Sequence, residues 1–263
     1  MYKDTTRKYV KDDIKEKINK EFEATLPKFP ENKQNIIFIH GYGGPKSSAW
    51  KFWRKERVWD EFYELIRQDI GLNGHVDLHR FEHTAPFFTI PGIGKKRPLI
   101  QTTSKALKTF IQANNLDNKR TTFVCHSMGG LIARQMALDL DDASCPHKIE
   151  NIIMYATPNN GSELATVAKT LLPLNTQVRQ LKPSEEFITT LNTRWALKNM
   201  NDKINLVYVI GDQDRIVSVS SAQQSWGNDI SICVGDNHST IIRPKEQDKT
   251  SYKVFRQTIL GAI

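Results

Sequence analysis

The sequence has 263 residues, with 37 Lys and Arg against 29 Asp and Glu, which gives a net charge of +8. With 39% hydrophobic and 25% charged residues, it has the composition of a globular protein, which argues against a disordered, collagenous or membrane-spanning chain. The three cysteines, Cys125, Cys145 and Cys233, form no C-x-x-C pair, so neither a disulfide framework nor a zinc knuckle is indicated. The cysteine pattern and the lack of an apolar leader together predict a cytoplasmic protein. Export by a route that needs no cleavable signal remains the alternative.

The first part of the chain, residues 1–33, is predicted to be a charged helical extension. Apolar residues recur at every fourth position from Val10 to Phe22, which places one apolar stripe on a helix, and Pro27 ends the pattern. A helix packed on the main domain, or a free tail, is a simpler interpretation of this segment than an interaction element.

Residues 34–263 are predicted to form one α/β domain. Short β-branched and aromatic runs alternate with stretches of helical spacing, the order that builds a parallel sheet with helices on both faces. The predicted strands are 35–40, 75–81, 121–126, 149–156, 204–210 and 230–234, and the predicted helices are 59–70, 102–112, 128–140 and 251–260.

The segment 157–203 is too long for a simple crossover between two strands. Its leucines and valines are spaced so that short helices would expose an apolar face, and we predict a helical cap there. An ordinary helical excursion and a substrate-covering role remain open for it.

The segment TTFVCHSMGGLIARQMALDL is the most informative part of the sequence. A short apolar strand runs directly into Ser127 and then into an amphipathic helix, which is the context of a nucleophile elbow. Gly129 supplies one of the small neighbours that such a turn requires, whereas Cys125 stands where glycine is usual. The backbone N–H of Met128, at the start of the helix, is the predicted first oxyanion donor.

A second strand, IIFIH, is followed at once by the glycine-rich turn GYGG. Gly41 and its neighbours allow the backbone to approach a substrate closely, and the N–H of Tyr42 is the predicted second oxyanion donor. Lys46 and Ser47 suggest a phosphate-binding loop as an alternative, but His40 and Pro45 occupy positions where that motif needs glycine.

Two later turns carry the remaining groups of a catalytic triad. The strand LVYVIG is followed by Asp212 and Asp214, either of which can orient a histidine, and His238 follows the last strand. With Ser127 these give the order serine, acid, histidine that is typical of α/β-hydrolases.

From residue 35 to its end the chain resembles the lipase and serine-esterase branch of the α/β-hydrolases. The HG-x-GG turn, the H-S-M-G-G elbow, a Thr-Pro-x-x-Gly-Ser turn at 157–162, the acid loop and the final His-Ser occur in the family's order. The elbow followed by LIARQ and the Asn-His-Ser turn also resemble glycosylphosphatidylinositol-deacylase-like and serine-active-site proteins. The family places its acid three residues before the loop valine, which implies Asp214, before Val217, rather than Asp212. It also implies a minimal, mostly parallel sheet of about six strands.

The resemblance implies a serine hydrolase that cleaves carboxylic esters, with lipid-like or acylated substrates, through Ser127, His238 and Asp214. It implies no metal and no organic cofactor. Thioester cleavage and acyl transfer use the same groups and remain open, as does a scaffold protein that has kept the fold. The basic residues are interspersed with acids and no nucleic-acid motif is present, so we predict no nucleic acid as a partner. Contact with an anionic membrane surface, or with an acidic partner, is the better use of the charge.

Three further features of the sequence have simpler interpretations than a functional site. His75, His79 and His83 would share one face of a helix, but the segment alternates like a strand, which argues against a metal site. His126 is interpreted as a packing and hydrogen-bonding neighbour of Ser127, because the base must approach from another loop. The aromatic cluster from Trp50 to Trp59 suits a lipid-facing surface or, more simply, one buried helix face.

Overall fold

A computed structural model of the chain describes residues 33–41, 58–82, 100–145, 147–160, 185–223 and 230–263. The predicted helix within residues 1–33, the aromatic residues at 50–53 and most of the predicted cap, 161–184, lie outside the described residues. Residues 33–263 form one compact unit.

Six strands form one sheet in which every neighbouring pair is parallel, as predicted. The strands lie in the order β2-β1-β3-β4-β5-β6. Because all of them are parallel, their carboxyl ends lie at the same end of the sheet. Their bounds are β1 Gln34–Ile39, β2 Val76–Phe81, β3 Thr121–His126, β4 Ile149–Tyr155, β5 Asn205–Gly211 and β6 Ile230–Val234.

Six α-helices accompany the sheet within the described residues: α1 Asp60–Gln68, α2 Ile100–Ala113, α3 Gly129–Asp142, α4 Glu185–Leu197, α5 Val219–Ala222 and α6 Thr250–Ile259. Short 3₁₀ turns occupy Met200–Asp202 and Thr240–Ile242. The four helices predicted from apolar spacing are present, with ends within two residues of those predicted.

Helices cover both faces of the sheet. Alternate residues of a strand point to opposite faces, so each buried strand supplies apolar side chains to both. In β1, Ile37 and Ile39 join a core formed with α2, α3 and α4. The intervening Phe38 packs against Phe62 of α1 and Phe255 of α6, with ring centroids 6.1 and 6.4 Å apart. The prediction of helices on both faces is confirmed.

The last part of the predicted cap packs into the main core. α4 buries Ile188, Leu191 and Trp195 in the same apolar cluster as α3. The described end of the 157–203 insertion therefore serves as an ordinary covering helix, and a substrate-covering role stays a prediction for the residues before it.

Candidate active site

Ser127 occupies a strained turn between β3 and α3. Its φ of 52° lies in the left-handed region, which residues other than glycine rarely adopt, and the residue is fully buried. Its N–H donates a 2.9 Å hydrogen bond to the carbonyl of Tyr155 at the end of β4. A buried serine held in this conformation at a strand-to-helix turn has the geometry of a nucleophile elbow.

Two glycines allow the elbow to pack closely against the end of β1. A Cβ added to Gly41 would lie 2.8 Å from the Cβ of Ser127 and 2.9 Å from the Met128 nitrogen. A Cβ added to Gly129 would lie 2.5 Å from the carbonyl oxygen of Ile39. No side chain fits at either position without a shift, which explains the glycines of both sequence motifs.

The Met128 N–H lies at the amino end of the 14-residue helix α3. Among the described residues it takes part in no backbone hydrogen bond, and the Gly41 backbone passes next to it. An open N–H at a helix start is suited to an oxyanion. The second predicted donor, Tyr42, lies outside the described residues.

Cys125 replaces the usual glycine of the elbow without disturbing it. Its side chain is fully buried in the core between β1 and β4, where it pairs in register with Ile39 and Met154. Burial raises the pKa of its thiol well above the ordinary value, so the group behaves as a small apolar residue rather than a nucleophile.

The turns after β5 and β6 bring Asp214 and His238 together. The Nδ1 of His238 donates a 2.8 Å hydrogen bond to Oδ2 of Asp214. The other oxygen, Oδ1, accepts the N–H groups of Ile216 at 2.8 Å and Val217 at 3.0 Å. Both side chains are almost wholly buried, whereas Asp212 is exposed. Asp214 rather than Asp212 is thus the carboxylate that contacts the histidine.

Two buried polar atoms at this site have no hydrogen-bond partner within the described parts of the chain: Oγ of Ser127 and Nε2 of His238. They form no hydrogen bond with each other in this structure. Because Nδ1 of His238 carries a proton toward Asp214, Nε2 is the nitrogen that remains free to accept one. Buried polar atoms are rarely left open, and catalytic groups are a recognised exception.

His126 connects the nucleophile strand to the turn that carries His238. Its Nε2 lies 2.8 Å from the carbonyl oxygen of His238, and the two rings are 4.8 Å apart between centroids. Burial lowers the pKa of His126 well below its ordinary value, and the nearby His238, His40 and Arg243 lower it further.

Thr157 and Asn159 support the elbow and the turns beside it. Both belong to the Thr-Pro-x-x-Gly-Ser motif, for which the sequence indicated no role. The Thr157 hydroxyl donates a 2.9 Å bond to the carbonyl of Ser127. The Asn159 amide donates to the carbonyls of Thr157 and Ala222, and its backbone carbonyl accepts from Asn192 of α4. The signal available in the sequence is a Thr-Pro turn directly after a buried strand.

An open cleft of about 730 Å³ lies beside the acid and histidine turns. It is lined by Asp212, Gln213, Asp214, Arg215, Ile216, Asn237, His238 and Ser239. The lining thus includes both members of the His238–Asp214 pair but not Ser127.

The alternative metal site at His75, His79 and His83 requires these residues to share one face of a helix. His79 lies on strand β2, not on a helix, and its Nε2 is 3.2 Å from Oδ1 of Asn35. His83 lies outside the described residues. Within the parts of the chain that the structure covers, no three His, Cys, Asp or Glu residues form a metal-binding group, and no helix there is long and apolar enough to cross a bilayer.

Comparison with known proteins gives a consistent result. A family model described as the PGAP1-like alpha/beta domain matches residues 31–228. Protein SERAC1 of Bos taurus is 24% identical over 269 residues, which cover 88% of this chain but 39% of SERAC1, so the chain spans about two fifths of that relative's length.

Solved structures share the fold at low sequence identity. The mature lipase BlEst2 of Bacillus licheniformis has a TM-score of 0.56 and 16% identity, over 89% of this chain and 95% of the lipase. Phospholipase PlaB of Legionella pneumophila has a TM-score of 0.58 and 13% identity, over 85% of this chain and 58% of PlaB. The fold is that of the α/β-hydrolases, and the resemblance found in the sequence is confirmed.

Proposed function

Because the chain belongs to the family of PGAP1-like α/β domains, we propose that it is a serine hydrolase that cleaves carboxylic esters. The observation that carries the proposal is the buried 2.8 Å hydrogen bond between His238 Nδ1 and Asp214 Oδ2, which leaves Nε2 free to accept a proton. The strained and buried Ser127, at the elbow next to His126, supplies the nucleophile.

In the proposed reaction, Oγ of Ser127 attacks the ester carbonyl while His238 Nε2 takes the hydroxyl proton. Asp214 holds the histidine tautomer and stabilises the imidazolium. The Met128 and Tyr42 N–H groups bind the oxyanion. The alkoxide leaving group receives the proton from His238, and a water molecule then releases the acyl group from Ser127 by the same steps in reverse order.

We extend the proposal to esters of lipid-like or acylated substrates. Two neighbours in fold are described as a lipase and a phospholipase, and the net charge of +8 suits a surface that carries anionic lipid. A cytoplasmic location remains a prediction. Thioester cleavage and acyl transfer are alternatives on the same groups, and a scaffold without catalysis is the alternative of another class.

The proposal is tested by labelling the full chain with a fluorophosphonate and mapping the adduct. We expect an adduct on Ser127 that is lost in Ser127→Ala and strongly reduced in His238→Ala, while Ser231→Ala, at an exposed serine of β6, labels normally. Ester hydrolysis is expected to fall by about 10⁴-fold or more in Ser127→Ala. Parallel series of acyl esters and thioesters identify the preferred bond. Full activity in Ser127→Ala would overturn the assignment.

A further inference from the structure

His126 is the residue through which the nucleophile strand contacts the turn that carries His238. The carbonyl of His238 accepts a hydrogen bond from Nε2 of His126 across 112 positions of sequence, and the two imidazoles pack with their planes inclined by 50°. The ring of Trp59 lies near the same imidazole, with the centroids 6.5 Å apart and the planes at 88°. The hydrogen bond and the contacts with two neighbouring rings together restrict the orientation of His126.

The His238 turn is also supported by the acid loop, where the N–H of Gln213 donates to the carbonyl of Asp236 at 3.2 Å, and by bonds within the turn. The side-chain oxygen of Asn237 accepts the N–H groups of Ser239 and Thr240, at 2.9 and 3.0 Å. These bonds shape the turn but do not link it to the strand that carries Ser127. The bond from His126 provides that link, because His126 and Ser127 are adjacent in the chain.

The protonation of His126 follows from its partner. A carbonyl oxygen can only accept, so Nε2 of His126 carries the hydrogen and Nδ1 is the site for a second proton. Burial disfavours that second proton, and the groups that face the ring, His238, His40 and Arg243, disfavour it further, while the bond to the His238 carbonyl acts in the opposite direction.

We propose that His126 is a positioning residue of the hydrolase: an uncharged imidazole whose Nε2–H and ring hold His238 in the orientation that lets it take the Ser127 proton. The inference rests on the proposed function of the same site. A charged ring 4.8 Å from His238 would oppose the imidazolium that forms when Ser127 attacks, whereas a neutral ring supports the turn without that opposition.

Two variants separate the hydrogen bond from the ring. His126→Phe keeps an aromatic ring without an N–H, and His126→Gln places an amide N–H near the position of Nε2 without a titrating group. His79→Gln, at a half-buried histidine outside the site, is the matched control. Rates are measured per active site, counted by fluorophosphonate burst titration on the full chain.

We expect His126→Phe to lower kcat by about 10- to 100-fold with KM within about twofold, since the loss concerns orientation of a catalytic base. His126→Gln is expected to bring kcat back to within about fivefold of the wild type. The decrease of kcat/KM at low pH is expected to be the same in this variant as in the wild type. If His126 had a merely structural role, fewer active sites would react with the fluorophosphonate, and the rate per reactive site would be unchanged.

Wild-type kcat per site in His126→Phe would overturn the inference, as would a His126→Gln variant as slow as His126→Phe. An independent measurement needs no variant: ¹⁵N NMR of the wild-type imidazoles is expected to show His126 as the neutral Nε2–H form from pH 5.5 to 8. A charged ring or the Nδ1–H form in that range would also contradict it. If Ser127 is not labelled at all, the proposed function fails, whereas labelling of Ser127 with an unchanged His126→Phe rate defeats the positioning role alone.

Discussion

The hydroxyl of Thr157 donates a 2.9 Å hydrogen bond to the carbonyl oxygen of Ser127, and both residues are buried. The N–H of Ser127 is bound in turn by the carbonyl of Tyr155. Both backbone polar groups of the strained serine are therefore held by the segment at the end of β4. Because a positive φ at a serine persists only where its surroundings impose it, this segment sets the geometry of the elbow.

Replacing Thr157 by valine should weaken that support without changing the shape of the side chain. The Ser127 carbonyl loses the Thr157 hydroxyl but keeps the Gly130 N–H at 3.3 Å, so we expect the free energy of unfolding to fall by about 1 kcal/mol. We also expect kcat to fall about tenfold with little change in KM, because a less constrained elbow aims Oγ less well. Urea unfolding and rates per titrated active site measure the two effects. Thr109→Val, which removes an exposed hydroxyl bond within α2, is the control, and a wild-type kcat in Thr157→Val would contradict the prediction.

The sheet and the main helices could be predicted from the sequence because their signals are local. The β-branched and aromatic run of β1, which is buried throughout, and the three-to-four spacing in α6 each reflect burial of one element, and the order of elements restricts the topology. The contact of Asp214 with His238 followed from a family pattern. The bonds from Thr157 to Ser127 and from His126 to His238 had no such signal, because they join residues 30 and 112 positions apart whose closeness depends on the assembled sheet.

Gly41→Ala should damage the oxyanion site. The added Cβ would lie 2.8 Å from the Ser127 Cβ and 2.9 Å from the Met128 nitrogen, so the β1 turn or the elbow must shift. Displacement of one oxyanion donor typically lowers kcat by about 10²–10³-fold, and we expect a loss of that order. Gly235→Ala is the matched control, since a Cβ there meets no atom within 4 Å. Equal rates per active site in the two variants would show that the Gly41 contact does not matter for turnover.

The Asp69 carboxylate should be important for stability and unimportant for catalysis. It follows α1 and is buried, and its Oδ2 accepts from Arg256 Nε at 2.8 Å and Tyr252 Oη at 3.1 Å, both on α6. Asp69→Ala leaves these two donors without their acceptor, and because Arg256 is partly exposed we expect a loss of about 2–3 kcal/mol in the free energy of unfolding.

Asp77→Asn provides the comparison for Asp69→Ala, because Asp77 makes half-exposed ion pairs with Lys33 and Lys119. Such pairs contribute little, so we expect a change below about 1 kcal/mol. Thermal and urea unfolding of both variants are measured alongside kcat per active site. A similar loss in the two variants would show that the Asp69 cluster adds nothing beyond a surface ion pair.

Acid should destabilise the fold through two histidines, His40, which is buried, and His126, which is partly buried. Burial lowers the pKa of His40 and of His126, so the folded chain resists protonation at both rings. In the unfolded chain the same rings bind protons as the pH falls below about 6.5. The unfolded state then binds more protons than the folded state, so the free energy of unfolding decreases as pH falls from about 6.5 toward the folded pKa values, and above 6.5 these groups contribute no slope.

Each such histidine contributes a slope of at most about 1.4 kcal/mol per pH unit in this range. His126→Gln removes one of them, so its unfolding free energy should fall less steeply than that of the wild type between pH 6.5 and 5. Urea unfolding at pH 5, 5.5, 6 and 6.5 measures the difference, and a second series between pH 7.5 and 8.5, where the two slopes should agree, is the internal control. Parallel curves below pH 6.5 would mean that His126 takes up its proton in the folded state, which would contradict both this prediction and the uncharged form on which its positioning role depends.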